Sequence, residues 1–166
     1  MLRCKIGIRR LGICAVLAAC IAVRPGVQPL GAQQLAAQSS AVFGNWTEPT
    51  GSVIHVDRCA DRICLWIISL SRQAASTTDI YNPDPALRSR QLCGLKIGSG
   101  FIPRDAAHAT DGTLYDPKSG KTYHGQLTAQ SSTLDLRGYI GIPLFGRSQT
   151  WTRAAGQTKP CAAPRN

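Results

Sequence analysis

Residues 79–90, DIYNPDPALRSR, bring two carboxylates, a carboxamide and two guanidinium groups into one short stretch: Asp79, Asn82, Asp84, Arg88 and Arg90. Oxygen donors at its first, fourth and sixth positions approach a calcium loop. That loop takes its ligands at alternate positions, with glycine sixth and an acid twelfth. Here Asp84 is sixth and Arg90 twelfth, which excludes the calcium reading. Asn82 and Asp84 each precede a proline, a pattern that favours Asx-type turns at the start of a loop. Arg88 and Arg90 are two residues apart and share one face of an extended backbone. They then have two uses: a clasp onto Asp79 or Asp84, or a grip on a carboxylate or phosphate of a ligand.

Groups suited to catalysis are sparse elsewhere. No serine sits in a G-x-S-x-G elbow, His55, His108 and His124 lack H-x3-H spacing, and Glu48 is the sole glutamate. The segment YDPKSGKTY lacks the G-x4-G-K-[ST] phosphate cradle and reads as a hairpin turn, opened by Asp116-Pro117, with Gly120 at positive φ. Tyr115, Tyr123 and Tyr139 are candidates to line a cavity. Arg137, if its face points inward, is a buried charge that needs a partner or a ligand. No catalytic residue, metal or cofactor is expected.

Of seven cysteines, Cys4, Cys14 and Cys20 lie in the leading segment, leaving Cys59, Cys64, Cys93 and Cys161. Four cysteines allow three pairings. The expected ones are Cys59 with Cys64 across a tight hairpin and Cys93 with Cys161. The rival is a zinc site, but C-x4-C followed by gaps of 28 and 67 residues matches no finger or ribbon.

These residues must be positioned by strands. After residue 40 no apolar 3.6 period persists for three turns, while Gly, Pro, Asn and Asp recur about every ten residues, the pattern of an all-β sandwich or barrel. KTYHGQLT alternates, with Tyr123, Gly125 and Leu127 on one face. STLDLRGYI does the same, with Leu134, Leu136, Gly138 and Ile140 against Asp135, Arg137 and Tyr139. AQSS supplies the turn between them. SVIHVDR and RICLWIISL flank the short CAD turn as a second hairpin, and residues 63–68 lack alternation, as a strand covered on both faces would. RSQTWTR is the last strand. Further strands at 44–47, 92–97 and 113–115 give about eight, enough to close a small antiparallel barrel that either packs solid or holds one modest ligand.

The first ten residues hold Arg3, Lys5, Arg9 and Arg10 and no acid, and 11–23 is an apolar run too short to span a bilayer comfortably. Residues 1–32 therefore read as a secretory signal, 33–40 as a flexible leader, 41–153 as the barrel domain and 154–166 as a tail. In a second reading, Leu17-Ala18-Ala19-Cys20 is a lipobox, and acylation at Cys20 anchors the chain to a membrane. Removing 1–32 takes away five positive charges and no negative ones, so the net charge falls from +10 to +5. The remaining basic residues are scattered singly, so nucleic acid is not an expected partner.

Together, GNWTEP, DIYNPDPALRSRQLCGL, LYDPKSGKTYHG and LRGYIGIPLFGRSQTWTR resemble the bacterial exported family catalogued as domain of unknown function 2147, over residues 43–153. The chain departs from that pattern at Leu65, where the family carries glycine after the hairpin cysteine, and at His108 and Ala109, in place of a tryptophan. The resemblance implies a lipocalin-like barrel and assigns no activity. It also implies a structural role for Gly44, Trp46, Trp151 and Arg153. An arginine from the last strand lies over a first-strand tryptophan and closes one end, a cation on an indole face.

The leading expectation is an exported, periplasmic, non-enzymatic barrel. It binds a small amphipathic or anionic molecule, or an envelope component, at a mouth shaped by residues 79–90. The second is an enzyme acting on an envelope polymer or lipid, whose signature is a raised pKa at Asp79, Asp84 or Asp135. The third is a structural or interaction module with a filled barrel.

Overall fold

Alternation builds the strands. In β6 (Lys121–Ala129) and β7 (Thr133–Tyr139), Gly125, Leu127, Ala129 and Leu134 are buried while Thr122 and His124 on the opposite face of β6 are exposed, so one face of each strand meets the core. The computed structural model describes residues 41–156 and Cys161. The expected signal, lipobox and leader lie outside the described residues, as does most of the tail. The other strands are β1 (Gly44–Thr47), β2 (Val53–Cys59), β3 (Arg62–Ser69), β4 (Lys96–Pro103), β5 (His108–Asp116) and β8 (Arg147–Arg153). Each pairs antiparallel with the next, and β8 returns to β1 through Trp46 opposite Arg153 and Thr47 opposite Thr152, closing an eight-stranded barrel.

Because the strands run up and down, the connections fall at two ends. One end, the mouth, carries the β1–β2, β3–β4, β5–β6 and β7–β8 loops. The other, the base, carries the Ala60-Asp61 turn, residues 104–107, residues 130–132 and the lead-in to β1. At the base Trp46 is fully buried and donates Nε1–H to the Val42 carbonyl at 2.8 Å. The Arg153 guanidinium lies 3.9 Å from the centre of its ring and donates to the carbonyls of Phe43 and Ala41 at 2.9 and 2.8 Å. A cation so placed contributes about 0.5–2 kcal/mol. Gly44, at φ +119°, leaves the space this arginine occupies: a Cβ there would stand 2.8 Å from Nη1.

Above Trp46 the interior is filled by Val56, Ile63, Leu65, Phe101, Leu127 and Leu134. Phe101 fits because two strands facing it carry glycine: a Cβ on Gly112 would overlap its ring, and one on Gly125 would stand 2.9 Å from its tip. Toward the mouth this packing stops, which corrects the filled-barrel expectation.

Two strands differ from expectation. The strand expected at 92–97 runs from Lys96 to Pro103, and the short one expected at 113–115 spans His108–Asp116. In the latter the register is irregular between Ala109 and Gly112, and Asp111 has φ 59°, so its side chains do not alternate simply. Cys59–Cys64 ties the β2–β3 hairpin and Cys93–Cys161 ties the base of the β3–β4 loop to the tail, each with Cα atoms 5.8 Å apart. The zinc alternative falls with them. Cys161 also donates its N–H to the Ile68 carbonyl at 2.7 Å, docking that part of the tail on β3.

Candidate functional site

The mouth half of the barrel is a cavity of about 1070 Å³. Its depth is apolar: Ile54, Ile67, Leu92, Ile97, Leu114, Leu136 and Trp151 line it, with Tyr123 on one wall. Strand parity places the rim. On β6 Lys121 shares the inward face with Tyr123 and Leu127, and on β8 Arg147 shares it with Gln149 and Trp151. Both cations border the cavity, and among the described residues neither side chain has a hydrogen bond or ion pair. On β7 Gly138 pairs with Arg147 on one side and Gly125 on the other, so the wall beside the guanidinium carries no side chain there, and Lys121 stands four residues beyond Gly125 toward the mouth. Water-exposed cations above an apolar well suit a molecule with a hydrocarbon body and an anionic head.

The remaining charges at the rim are occupied. Glu48 is buried at the start of the β1–β2 loop, where it accepts from the Thr50 hydroxyl, from the backbone N–H groups of Thr50 and Ser52, and from Lys118 Nζ at 3.2 Å. Burial pushes its carboxyl up. The Thr50 bonds and the Lys118 charge outweigh that and hold it below its ordinary value. Asp116 accepts from the Ser119 hydroxyl at 2.6 Å and the Lys118 N–H at 3.0 Å, closing the turn before β6.

Residues 79–90 lie at the mouth, where Tyr81 alone of the stretch borders the cavity, and they are fastened from within. Asp79 is fully buried; Oδ1 accepts the Tyr115 hydroxyl at 2.6 Å, Oδ2 accepts Asn82 Nδ2 at 2.7 Å and Arg90 Nε at 2.8 Å, and Arg90 Nη2 stands 2.7 Å from Oδ2 as its ion-pair partner. Burial raises this carboxyl, and the bonds from Tyr115, Asn82 and Arg90 together with the Arg90 charge overcome it, so Asp79 lies below the usual carboxylate range. The same surroundings, burial first and then Asp79, push the Tyr115 hydroxyl up. Asn82 Oδ1 accepts the Asp84 N–H and Asp84 accepts the Ala86 N–H, both at 2.9 Å, as the two Asx turns before proline require.

The expected site residues therefore separate. Arg90 is spent on Asp79, with its guanidinium also 5.4 Å from the Tyr115 ring centre, and Arg88 donates Nε–H to the Asn82 carbonyl at 2.8 Å. The loop is a clasp. Arg137, expected at the ligand, faces away from the cavity: its guanidinium donates to the carbonyls of Pro143 and Leu144 and to the Ser148 hydroxyl. The Tyr139 ring stacks on His124, also on the outer face, while the residue borders the rim. Tyr115 and Tyr123 do border the cavity. Asp135 accepts from Thr150 at 2.6 Å on the outer surface. Lys121 and Arg147 were not anticipated. Their signal was parity with Tyr123 and with Trp151, read one step beyond the apolar part of each strand.

Comparison with known proteins follows the same geometry. No curated protein matches the chain. A solved structure described as protein HP1028 from the human pathogen Helicobacter pylori, of the lipocalin family, is similar with a TM-score of 0.62 at 22% identity, covering 68% of this chain and 82% of that one. At that identity the likeness concerns the fold, which is lipocalin-like. The family model described as "Uncharacterized protein conserved in bacteria (DUF2147)" matches residues 44–153, from the first residue of β1 to the last of β8. The chain belongs to that bacterial family.

Proposed function

We propose that this protein is an exported binding protein that takes one amphipathic anion, its hydrocarbon part in the barrel and its acidic head between Lys121 and Arg147. The observation that carries the reading is a large apolar cavity whose rim holds two cations with no partner of their own. Burying a hydrocarbon chain contributes roughly 0.8 kcal/mol per methylene. A carboxylate, sulfate or phosphate head adds charge-assisted hydrogen bonds. Export, to the periplasm or with an anchor at Cys20, agrees with the basic, apolar first segment and with two disulfides, which persist in oxidising surroundings. An envelope lipid or its acidic breakdown product has this chemistry. Enzymatic use of the mouth gains no support from Asp79 or Glu48, since both carboxyls are held ionised rather than raised.

The test is calorimetric titration with dodecanoate and dodecanol, with Trp151 fluorescence as a second readout. Dodecanoate saturates one site and perturbs Trp151; K121Q/R147Q weakens it by about tenfold or more while leaving dodecanol unchanged. If dodecanoate shows no saturable binding, or binds the variant as tightly as the parent, the reading fails.

A further inference from the structure

Among the described residues, every large apolar side chain left exposed lies at the mouth. Four crowd the β7–β8 loop: Ile140, Ile142, Leu144 and Phe145 are 69%, 55%, 76% and 78% exposed. Ile80, Tyr81 and Leu87 stand on the β3–β4 loop at the same end. This apolar lip, four such side chains within six residues of one loop and three more on another loop of the same end, marks an interaction surface rather than ordinary scatter. It is also a built surface. Arg137 Nε and Nη2 hold the Pro143 carbonyl at 2.9 and 2.6 Å, and Pro143–Phe145 form a single 3-10 turn that presents Leu144 and Phe145 outward.

Charge follows the same division. Setting aside the pairs Arg90–Asp79 and Lys118–Glu48, the mouth holds Arg72, Arg88, Lys96, Lys121, Arg137 and Arg147 against Asp84 and Asp116. At the base Arg58, Arg62, Arg104 and Arg153 face Asp57, Asp61, Asp105, Asp111 and Asp135. Among the described residues the mouth is thus positive by four, and the base negative by one. A second copy of the chain would set this positive end against itself, whereas an anionic bilayer offers both an apolar layer for the lip and negative headgroups for its surround.

We propose that the barrel docks mouth-down on an anionic phospholipid surface, with Ile142, Leu144 and Phe145 seated at the headgroup–acyl boundary and the cavity opening toward the lipid. The docking rests on the lip and the charge of the mouth, and it stands whether or not the cavity takes the amphipathic anion. The full chain is tested, with L144W emission taken as the difference from the parent, whose Trp46, Trp66 and Trp151 also emit, so that it reads the lip whatever the first segment does. With vesicles of phosphatidylcholine and phosphatidylglycerol, L144W emission shifts to the blue and is quenched by brominated acyl chains. Salt or pure phosphatidylcholine weakens both effects. I142D/L144D, neither of which borders the cavity, lowers that part of vesicle binding by about tenfold or more and leaves dodecanoate binding as in the parent. An L144W emission that ignores the vesicles overturns the proposal. So does an emission that shifts with protein concentration alone, together with a dimer abolished by I142D/L144D, which would make the lip an interface between copies. Lip insertion without dodecanoate binding would leave docking standing and remove the cavity reading.

Discussion

Asp79 is a negative charge shut off from water, and the three hydrogen bonds it accepts and its ion pair with Arg90 make that position tolerable. Removing the carboxylate leaves Arg90 without its partner and Tyr115 and Asn82 with unmet donors, so Asp79→Ala costs about 3 kcal/mol, near the low end for buried pairs because Arg90 is partly exposed. Urea unfolding measures it. The pH dependence has a definite sign. Since the folded-state pKa is lowered, this stabilisation is complete above the ordinary carboxylate pKa and drains away as pH falls from about 5 toward 2. Asp79→Asn should flatten that acid limb, and an unchanged limb would show that other carboxylates dominate it. At this scale the sequence was informative about turns and silent about partners. Asn82 and Asp84 before proline announced the Asx turns. Nothing in the spacing of Arg88 and Arg90 told a clasp from a ligand grip, because that depended on Tyr115 arriving beside Asp79 from 36 residues away.

The strands were legible wherever alternation was undisturbed. The β6–β7 hairpin stood out because from Tyr123 to Leu136 its inward residues are apolar or glycine at every second position, and the β2–β3 hairpin because two apolar segments flank the short Cys59-Ala60-Asp61 turn. β5 was read too short because an irregular register between Ala109 and Gly112 breaks the period, with Asp111 at positive φ. β4 was displaced because Gly94, Gly98 and Gly100 resemble turn residues, whereas Gly98 is glycine to admit Leu65, whose side chain comes within 2.9 Å of where a Cβ would be. The same logic governs Gly112 beneath Phe101. Gly112→Ala overpacks the core and costs about 1–3 kcal/mol, and adding Phe101→Leu recovers part of it. Thermal unfolding of the two single variants and the double tests this coupling. Strict additivity would mean that the ring and the missing Cβ are independent.

At the scale of the whole molecule, the barrel is divided lengthwise between a packed base and a hollow mouth, and nearly everything chemically expectant sits at the hollow end. Arg147 and Lys121 escaped notice in the sequence for a reason of scale. Each lies at a strand terminus beside a polar loop, and only closure of the sheet makes their face an interior one. The bond between Cys93 and Cys161 has a consequence of another kind. It makes residues 93–161 a closed covalent circuit through β4 to β8, with the β5–β6 and β7–β8 loops inside it. Lys118 within the first of those loops, and Lys121 and Arg147 at the strand ends that follow them, are exposed, as natural points for trypsin-like cleavage. A cut at any one of them would sever the peptide without dividing the molecule: on a non-reducing gel the nicked protein should keep its full mass, and with a reductant it should fall into two pieces. Two pieces without reductant would show the circuit to be open. If the chain is exported, as proposed, to surroundings where proteases are met and reductants are scarce, such a ring turns a broken loop into a survivable scar.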